Sequence, residues 1–229
     1  GGAGGARMGL FDFLQPKGWS EQQAEMQAGV PAADQEDIPF ATGALLGGTF
    51  ISGKRLALAY RASQDGWSAA SFHAKCDSIG PCVVYGITED GYRFGGYNPA
   101  GWQSDDDYKT LPQAFLFFCP PQGGDPVKLE KVGGGEAALF DYARSGPTFG
   151  ADGLVIGAST QSVMGLFAGP DPMDLSTGQG ELKVAVSRLG QSYANIPPEW
   201  GQSSLLGENR ESAVLYDVEV YYCPELAEL

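Results

Sequence analysis

The apolar residues that follow position 68 recur with the spacing of a helix. Ala69, Phe72 and Cys76 stand at positions i, i+3 and i+7, so they share one stripe of an α-helix. Ser68 directly precedes them, where a side-chain hydroxyl can accept a main-chain N–H of the first turn. The run 77–81 contains Gly and Pro and cannot continue the helix. The pattern predicts a short helix, capped by Ser68, whose apolar stripe faces the core.

Two β-rich runs follow this helix and are separated by a turn. The run Cys82–Thr88 is largely apolar, the run 89–91 has turn composition, and Tyr92–Tyr97 is the second β-rich run. Gly95 and Gly96 lie inside that second run, where glycine marks a β-bulge or a close approach to the backbone. The sequence therefore predicts a hairpin that packs against the helix.

Further β-rich runs cover residues 56–60, 114–119, 127–132, 137–142, 154–158, 182–186 and 214–222. The run 56–60 is apolar on both sides, which predicts a covered central strand, and residues 45–51 lead into it. The run 114–119 consists of apolar residues throughout, so both of its faces must be covered. Alternate residues of the last run are predicted to share one face, namely Val214, Tyr216, Val218, Val220 and Tyr222.

About nine strands and few helices follow from these patterns. The predicted fold class is α+β and mainly β, a two-layer antiparallel β-sandwich flanked by one or two short helices. Residues 40–223 are predicted to form this domain, and residues 224–229 a C-terminal tail. Residues 1–39 are predicted to be an N-terminal tail with a short helix at 21–28 and an acidic linker. Within that tail, the apolar cluster 10–14 is predicted to dock on the domain.

The chain is strongly acidic. It has 28 Asp and Glu against 14 Lys and Arg, a net charge of −14 and a pI near 4.3. Nucleic acids and anionic lipids require a basic surface, so both are disfavoured as direct partners. The charge would steer the domain toward a basic protein surface, and it would equally serve to keep a Gly-rich domain soluble. The sequence contains no run of about 20 apolar residues, the length that a membrane span requires.

Few residues have the side chains that catalysis requires. His73 is the single histidine, and its place on the apolar stripe predicts a core histidine bonded to a main-chain carbonyl. A triad would have to use it with the nearby Ser71 or Cys76, which lie on the same helix. The consecutive acids at 105–107 suit neither an EF-hand nor a magnesium site, so the segment 104–107 is interpreted as a solvated loop. We predict no catalytic, cofactor-binding or metal-binding residues, and no enzymatic activity.

The four cysteines do not form a metal-binding pattern. Cys76, Cys82, Cys119 and Cys223 include no CxxC pair, and one histidine is too few for ordinary Cys/His zinc sites. Reduced, buried thiols are the interpretation that we favour. The alternative is redox sensing by a thiol near the surface, for which Cys82, directly after a proline, is the most suitable position.

Several short motifs in a fixed order give the chain a family resemblance. They are DGWS at 65–68, FH at 72–73, Cys76-Asp77, GYRFGGY at 91–97 and GPTFG at 146–150. Together they resemble the TLDc domain of the oxidation-resistance proteins and of their relatives that act on V-type ATPases. The resemblance implies the same two-sheet architecture, and it implies structural roles for Asp65, Gly66, Trp67, Ser68, Phe72, His73, Cys76, Gly91, Phe94, Gly95, Gly96, Phe149 and Gly150.

The resemblance also implies a function. TLDc relatives bind the peripheral catalytic sector of V-type ATPases, so we expect a non-catalytic module that binds a V-type ATPase or another large membrane-associated complex. It is further linked to protection against oxidative stress, without a cofactor. The alternatives are a thiol-based antioxidant protein and an accessory subunit of a membrane complex in an organelle such as a plastid. The expected location is intracellular, either cytoplasmic or in a plastid or other organelle.

Overall fold

The computed structural model of the protein describes residues 38–40, 42–133, 138–157, 161–163, 166–168 and 182–227. For residues 161–163 and 166–168 it describes the main chain alone. The predictions for the cluster 10–14, the helix 21–28 and most of the acidic linker lie outside the described residues.

Four short α-helices and one 3₁₀ turn occur in the described part of the chain. They are α1 (Thr42–Leu46), α2 (Ala62–Asp65), α3 (Ala69–Cys76), α4 (Pro224–Ala227) and the 3₁₀ turn Pro198–Trp200. The strands are β1 (Ala57–Arg61), β2 (Cys82–Thr88), β3 (Arg93–Asn98), β4 (Asp107–Lys109), β5 (Phe115–Cys119), β6 (Val127–Glu130), β7 (Leu139–Asp141), β8 (Thr148–Phe149), β9 (Leu154–Ile156), β10 (Gln161–Val163), β11 (Leu166–Ala168), β12 (Val184–Val186) and β13 (Ser212–Tyr222). The predicted mainly β class with a few short helices is confirmed.

The long strand β13 joins two antiparallel layers. Its first residues, 212–214, pair with β12, and its later residues pair with β2 on one side and β1 on the other. The first layer has the order β1-β13-β2-β3-β5-β6, and the second has the order β4-β7-β8-β9-β12-β13. β10 and β11 form a separate hairpin. The predicted hairpin of β2 and β3 is confirmed, with Cys82 opposite Asn98 and Ile87 opposite Arg93.

A first core fills the space between the two layers. It contains Phe94 and Leu116 from the first layer and Phe149 and Ile156 from the second. A second core covers the outer face of the first layer, where residues of the segment 40–56 pack on the strands; its members are Phe40, Leu45, Leu46, Ile51, Leu56, Val83, Tyr85, Tyr97, Phe115, Phe117, Tyr221 and Cys223. Because β5 lies between the two cores, both of its faces are covered, as predicted.

The prediction that the run 56–60 is a central strand is wrong. Residues 42–46 form helix α1 in the segment that leads into β1, and β1 pairs with β13 alone among the described strands. Leu56 packs in the second core and Tyr60 in the first. The run is therefore apolar because both of its faces are covered, although one of its edges has no neighbouring strand.

The prediction that alternate residues of β13 share one face is also wrong. A β-bulge shifts the register between Leu215 and Asp217. Val218 and Val220 face the first core, whereas Val214 and Tyr216 are exposed. The extra residue in a bulge reverses the alternation beyond it. The hydrophobic pattern alone does not reveal this, since valine and tyrosine occur on both sides of the bulge.

Candidate functional site

Helix α3 places the single histidine of the chain. The Ser68 hydroxyl caps the helix as predicted, accepting a hydrogen bond from the Ser71 main-chain N–H at 3.0 Å. The helix ends at Cys76 because Asp77 is already extended, with φ −72° and ψ 138°. Phe72 and Cys76 are buried in the first core, and His73 lies beside them with 8% of its surface exposed.

Both nitrogens of His73 are engaged. Nε2 lies 2.9 Å from the Ser145 carbonyl oxygen and 3.1 Å from that of Tyr142. Carbonyl oxygens only accept hydrogen bonds, so Nε2 carries a hydrogen and donates it. The prediction of a buried histidine bonded to a main-chain carbonyl is confirmed.

The other nitrogen, Nδ1, faces a serine and an aspartate together. The Ser104 Oγ and the Asp77 Oδ1 each lie 2.8 Å from it, and Ser104 Oγ donates to Asp77 Oδ2 at 2.5 Å. In a Ser-His-Asp triad the serine and the aspartate bind opposite nitrogens, so that the ring can take the serine proton. Here both bind the same nitrogen, which is a different geometry. Sequence reasoning did not bring Ser104 to the histidine, because its partner lies 31 residues away in the chain.

The loop that carries Ser104 is held in an uncommon conformation. Ser104 and Asp106 have φ of 55° and 56°, in the left-handed region that non-glycine residues rarely adopt. Asp141 holds this loop, because its carboxylate accepts the main-chain N–H of Gln103 at 2.8 Å and that of Ser104 at 3.1 Å. The acids 105–107 are exposed as predicted, but the loop ends at Asp106 because Asp107 begins β4, and Ser104 is half-buried. We call the residues His73, Asp77, Ser104, Lys109 and Asp141 the His73 network.

The innermost charge of this network is paired. Asp141 is 1% exposed, and its Oδ2 lies 2.7 Å from Lys109 Nζ. Lys109 also contacts the exposed Asp105 at 3.3 Å. Burial lowers the pKa of the Lys109 ammonium, but its bonds to the two carboxylates outweigh burial and raise the pKa. The network thus holds its charges in hydrogen-bonded pairs.

Replacement of the buried carboxylate should cost far more stability than replacement of the exposed one. We expect Asp141→Asn to lower the free energy of unfolding by about 3 kcal/mol, because it leaves a partly buried lysine and the loop amides with weaker acceptors. Asp105→Asn, which also removes a contact to Lys109, should change it by less than about 0.5 kcal/mol. Urea unfolding measures both. Equal effects would contradict this assignment of the network's stability to Asp141.

Four aromatic rings connect helix α3 with the two layers. Phe72 meets Tyr60 and Trp102 edge-on, with ring centroids 5.6 and 5.7 Å apart, and Trp102 meets Phe149 at 6.0 Å. The Tyr60 hydroxyl donates to the Gly66 carbonyl oxygen at 2.7 Å. Edge-to-face contacts of this kind add specific geometry to the burial of large rings.

Three of the motif glycines, Gly95, Gly96 and Gly150, lie where a side chain would collide. An added Cβ at Gly95 would stand 2.1 Å from the Val84 carbonyl oxygen, and one at Gly96 would stand 2.6 Å from Phe149 Cζ. The pairing of β3 has no register shift at either residue, so the structure has the predicted close approach and not a bulge. Gly150 combines φ 65° with a contact of 2.5 Å to Ser192 Cβ. Phe94 is buried in the first core, and Gly91 has φ 90° in the hairpin turn.

The turn before α3 is held by one acid and one aromatic ring. Asp65 accepts the Arg61 main-chain N–H at 2.8 Å and pairs with Lys75 at 3.1 Å. Burial acts to raise the pKa of Asp65, but these partners outweigh it and hold the pKa below its ordinary value. Trp67 lies under the Lys183 ammonium, 4.1 Å from its ring centroid. These contacts connect the turn to β1, to helix α3 and to the residue that precedes β12.

The thiols lie in different surroundings. Cys76, Cys82 and Cys223 are buried, and Cys119 is half-buried at a cleft of about 370 Å³ that Arg93 also lines. Burial raises the pKa of Cys76, raises that of Cys82 to about 12, and raises that of Cys119 to about 11 although Arg93 acts to lower it. The choice of Cys82 as the most accessible thiol is therefore wrong, since β2 lies between two other strands with both faces covered.

Cys119 should be the first thiol to react in the native protein. We expect iodoacetamide at pH 8 to modify it at least about tenfold more slowly than free cysteine, because its raised pKa leaves little thiolate. The buried thiols should react only as the domain unfolds. Mass spectrometry of peptides over a time course measures the four rates, with Cys119→Ser as the control. Modification of Cys82 before Cys119 would contradict the burial described here.

The part of the chain that the structure describes contains no three His, Cys, Asp or Glu residues that come together as a metal ion would require. Nor does it contain a helix that is long and apolar enough to cross a membrane.

The fold and its motif residues define a mainly β module whose glycines, aromatic rings and capped helix hold two layers together. A family model described as the TLDc domain matches residues 48–223, which is most of the chain. The chain therefore belongs to the TLDc domain family. A search of curated proteins found no match.

Proposed function

We propose that this chain is a non-catalytic protein-interaction module that binds and regulates a large assembly, such as the peripheral sector of a V-type ATPase. A link to oxidative-stress protection is part of the proposal, as is an intracellular location in the cytoplasm or in an organelle. The observation that carries it is that, in a domain of the TLDc family, both ring nitrogens of the buried His73 are occupied by partners within the domain itself.

The His73 network has the residue types of a hydrolase but not the arrangement. His73 Nε2 donates to two carbonyl oxygens, and the Ser104 hydroxyl donates to Asp77. A serine nucleophile needs its proton to point to a base that has room to pass it on. With the ring 8% exposed and both nitrogens engaged, a substrate has little access to it. This supports a structural role, which is to hold the loop 103–106 against helix α3.

The charge of the chain supports a protein partner. A net charge of −14 favours association with a basic surface and disfavours nucleic acid. Electrostatic attraction of this kind raises association rates and is weakened by salt. A regulatory subunit that docks on a large assembly would use such steering.

A direct binding measurement tests the proposal. The full chain is immobilised, and the isolated peripheral sector of the V-type ATPase from the same organism is passed over it. We expect a complex with a Kd at or below about 1 μM, with association that slows as salt rises. An unrelated acidic domain of the same net charge is the control. Absence of binding at about 10 μM, or equal binding to the control, would overturn the ATPase assignment.

A chemical probe tests the non-catalytic part separately. Fluorophosphonates label serines that an adjacent base activates. We expect no labelling of the native chain, because the Ser104 hydroxyl donates its hydrogen bond to the Asp77 carboxylate. A serine hydrolase at the same concentration is the positive control. Labelling that disappears in Ser104→Ala would show an activated serine and refute this part of the proposal.

The alternative of a thiol-based antioxidant has less support. Burial raises the pKa of Cys76, Cys82 and Cys119, which lowers the thiolate fraction that reacts with peroxide. Replacement of all four cysteines by serine, followed by a peroxide-survival assay, separates this alternative from the interaction module. Protection that is lost in this variant while the fold is retained would favour the thiol chemistry. The further alternative, an accessory subunit in an organelle, is tested by locating the protein in cells.

A further inference from the structure

Three exposed apolar side chains lie at neighbouring positions of strands β12 and β13, where β13 passes from one layer to the other. Val184 and Val214 are 42% and 44% exposed and lie directly opposite each other in the pairing of β12 with β13. Tyr216, two residues further along β13, is 65% exposed. We call Val184, Val214 and Tyr216 the β12–β13 patch.

The β-bulge in β13 determines which of its side chains belong to this patch. Leu215 pairs with Thr88 and Asp217 pairs with Ile87, so Tyr216 is the extra residue between them. Beyond the bulge, Asp217 accepts hydrogen bonds from the Ser63 main-chain N–H at 3.1 Å and from the Ser63 hydroxyl at 2.5 Å. Bulges re-aim side chains and are enriched near functional sites. In β13 the bulge turns a tyrosine to solvent next to two valines.

The clustering distinguishes these residues from the other large exposed apolar side chains that the structure describes. Phe50, Tyr108 and Val132 are similarly exposed, but each lies on a different segment. Single exposed apolar residues are common on protein surfaces, whereas adjoining ones around an aromatic ring mark contact sites. Tyrosine is enriched at the energetic centres of interfaces because it buries a large area and keeps a polar group at its tip.

The charges around the patch indicate the chemistry of the occupant. Glu89 adjoins the patch, since its main-chain N–H donates to the Val214 carbonyl oxygen at 3.1 Å. Two nearby basic residues are already paired: Arg188 with Glu211, and Arg210 with Asp90. Glu89 is exposed and forms no ion pair with the part of the chain that the structure describes. A second copy of the chain would bring another net charge of −14 to this face, so a basic partner fits better.

We propose that the β12–β13 patch is the docking site for a basic segment of a partner protein, which places an aliphatic or aromatic side chain on Val184, Val214 and Tyr216. A Lys or Arg of that segment lies against Glu89. This inference deepens the proposed function and rests on it in one respect, that the module works by docking. The hydrophobic contact supplies the affinity, and the Glu89 carboxylate together with the net negative charge of the chain selects a cationic sequence.

A selection experiment tests the patch without assuming which protein binds it. The full chain is used to select from a phage library of random peptides about 12 residues long. We expect the selected peptides to be rich in Lys and Arg around an aromatic or aliphatic residue. Their affinity should fall at least tenfold for Tyr216→Ala and for the double variant Val184→Ser/Val214→Ser. Glu89→Gln should weaken binding by a few-fold and reduce its salt dependence.

A matched variant and a stability measurement complete the test. Phe50→Ser/Val132→Ser removes two equally exposed apolar side chains elsewhere and should leave peptide binding unchanged. Peptides that bind the patch variants as well as the original chain would overturn the inference, as would selected peptides without an excess of basic residues. Patch variants that unfold at lower urea concentration, with unchanged binding, would show that this chain covers the patch itself, which also overturns it.

The same variants separate this inference from the proposed function. If the original chain binds the V-type ATPase sector and the patch variants bind it equally well, the docking site is wrong and the function stands. If the original chain does not bind that sector but its selected peptides depend on the patch, the ATPase assignment fails and the docking site stands.

Discussion

Gly95→Ala should prevent the domain from folding, or lower its free energy of unfolding by more than about 4 kcal/mol. The added Cβ would stand 2.1 Å from the Val84 carbonyl oxygen and 2.5 Å from Phe117 Cζ. A side chain can rotate away from such a contact, but the carbonyl belongs to the paired strand β2. Strands β2 and β3 would therefore have to separate at the centre of the first layer. Expression yield and urea unfolding measure the effect.

Gly43→Ala is the matched control for this substitution. Gly43 lies in helix α1, and a Cβ added there meets nothing within 4 Å. Alanine is the better helix former by about 0.5–1 kcal/mol, so this variant should be unchanged or slightly more stable. If Gly95→Ala folded with the stability of Gly43→Ala, the close approach of β2 to β3 described here would be incorrect.

Phe72→Ala should lower the free energy of unfolding by about 3–5 kcal/mol. The Phe72 ring is fully buried and meets Tyr60, His73 and Trp102 edge-on, with centroids 5.6, 4.8 and 5.7 Å away. Its removal leaves a cavity between helix α3 and both layers, lined by rings that are too large to close it. Because Trp102 loses a direct contact, its near-ultraviolet circular dichroism should also change.

Phe50→Ala provides the comparison for the loss of a phenylalanine. Phe50 is 56% exposed, so little burial is lost, and the change in stability should be less than about 0.5 kcal/mol. Chemical unfolding of the two variants in one buffer measures the difference. A cost for Phe72→Ala that is no greater than the cost for Phe50→Ala would refute the assignment of Phe72 as the ring that joins the helix to the layers.

The local elements could be predicted from the sequence because their causes are local. The cap at Ser68, the stripe of Ala69, Phe72 and Cys76, and the hairpin of β2 and β3 depend on residues a few positions apart. The same reasoning placed His73 in the interior, because the helical period assigns it to the buried stripe. The run at 114–119 showed by its composition that it had to be covered on both faces, and the two cores cover it.

The sequence could not reveal the features that depend on residues far apart in the chain. The His73 network joins positions 73, 104 and 141, and only the folded chain brings them together. The sequence did not show that β1 pairs with only one described strand. An apolar run indicates that both faces of a strand are covered, but not how many strands pair with it. The sequence did not show which cysteine is the most accessible for a related reason. The exposure of Cys82 and Cys119 depends on which strands lie beside them.

By itself, the sequence determined the class of fold, the capped helix, the central hairpin and the membership in the TLDc domain family, because each follows from short-range spacing or ordered motifs. The tertiary structure alone decided the bulge in β13 and, with it, the outward direction of Tyr216. The hydrophobic pattern does not show where the bulge lies, because valine and tyrosine suit either face of this strand. The hydrogen bonds of Asp217 to Ser63 and the burial of Leu215 fix the position of the bulge, and both contacts come from distant parts of the chain.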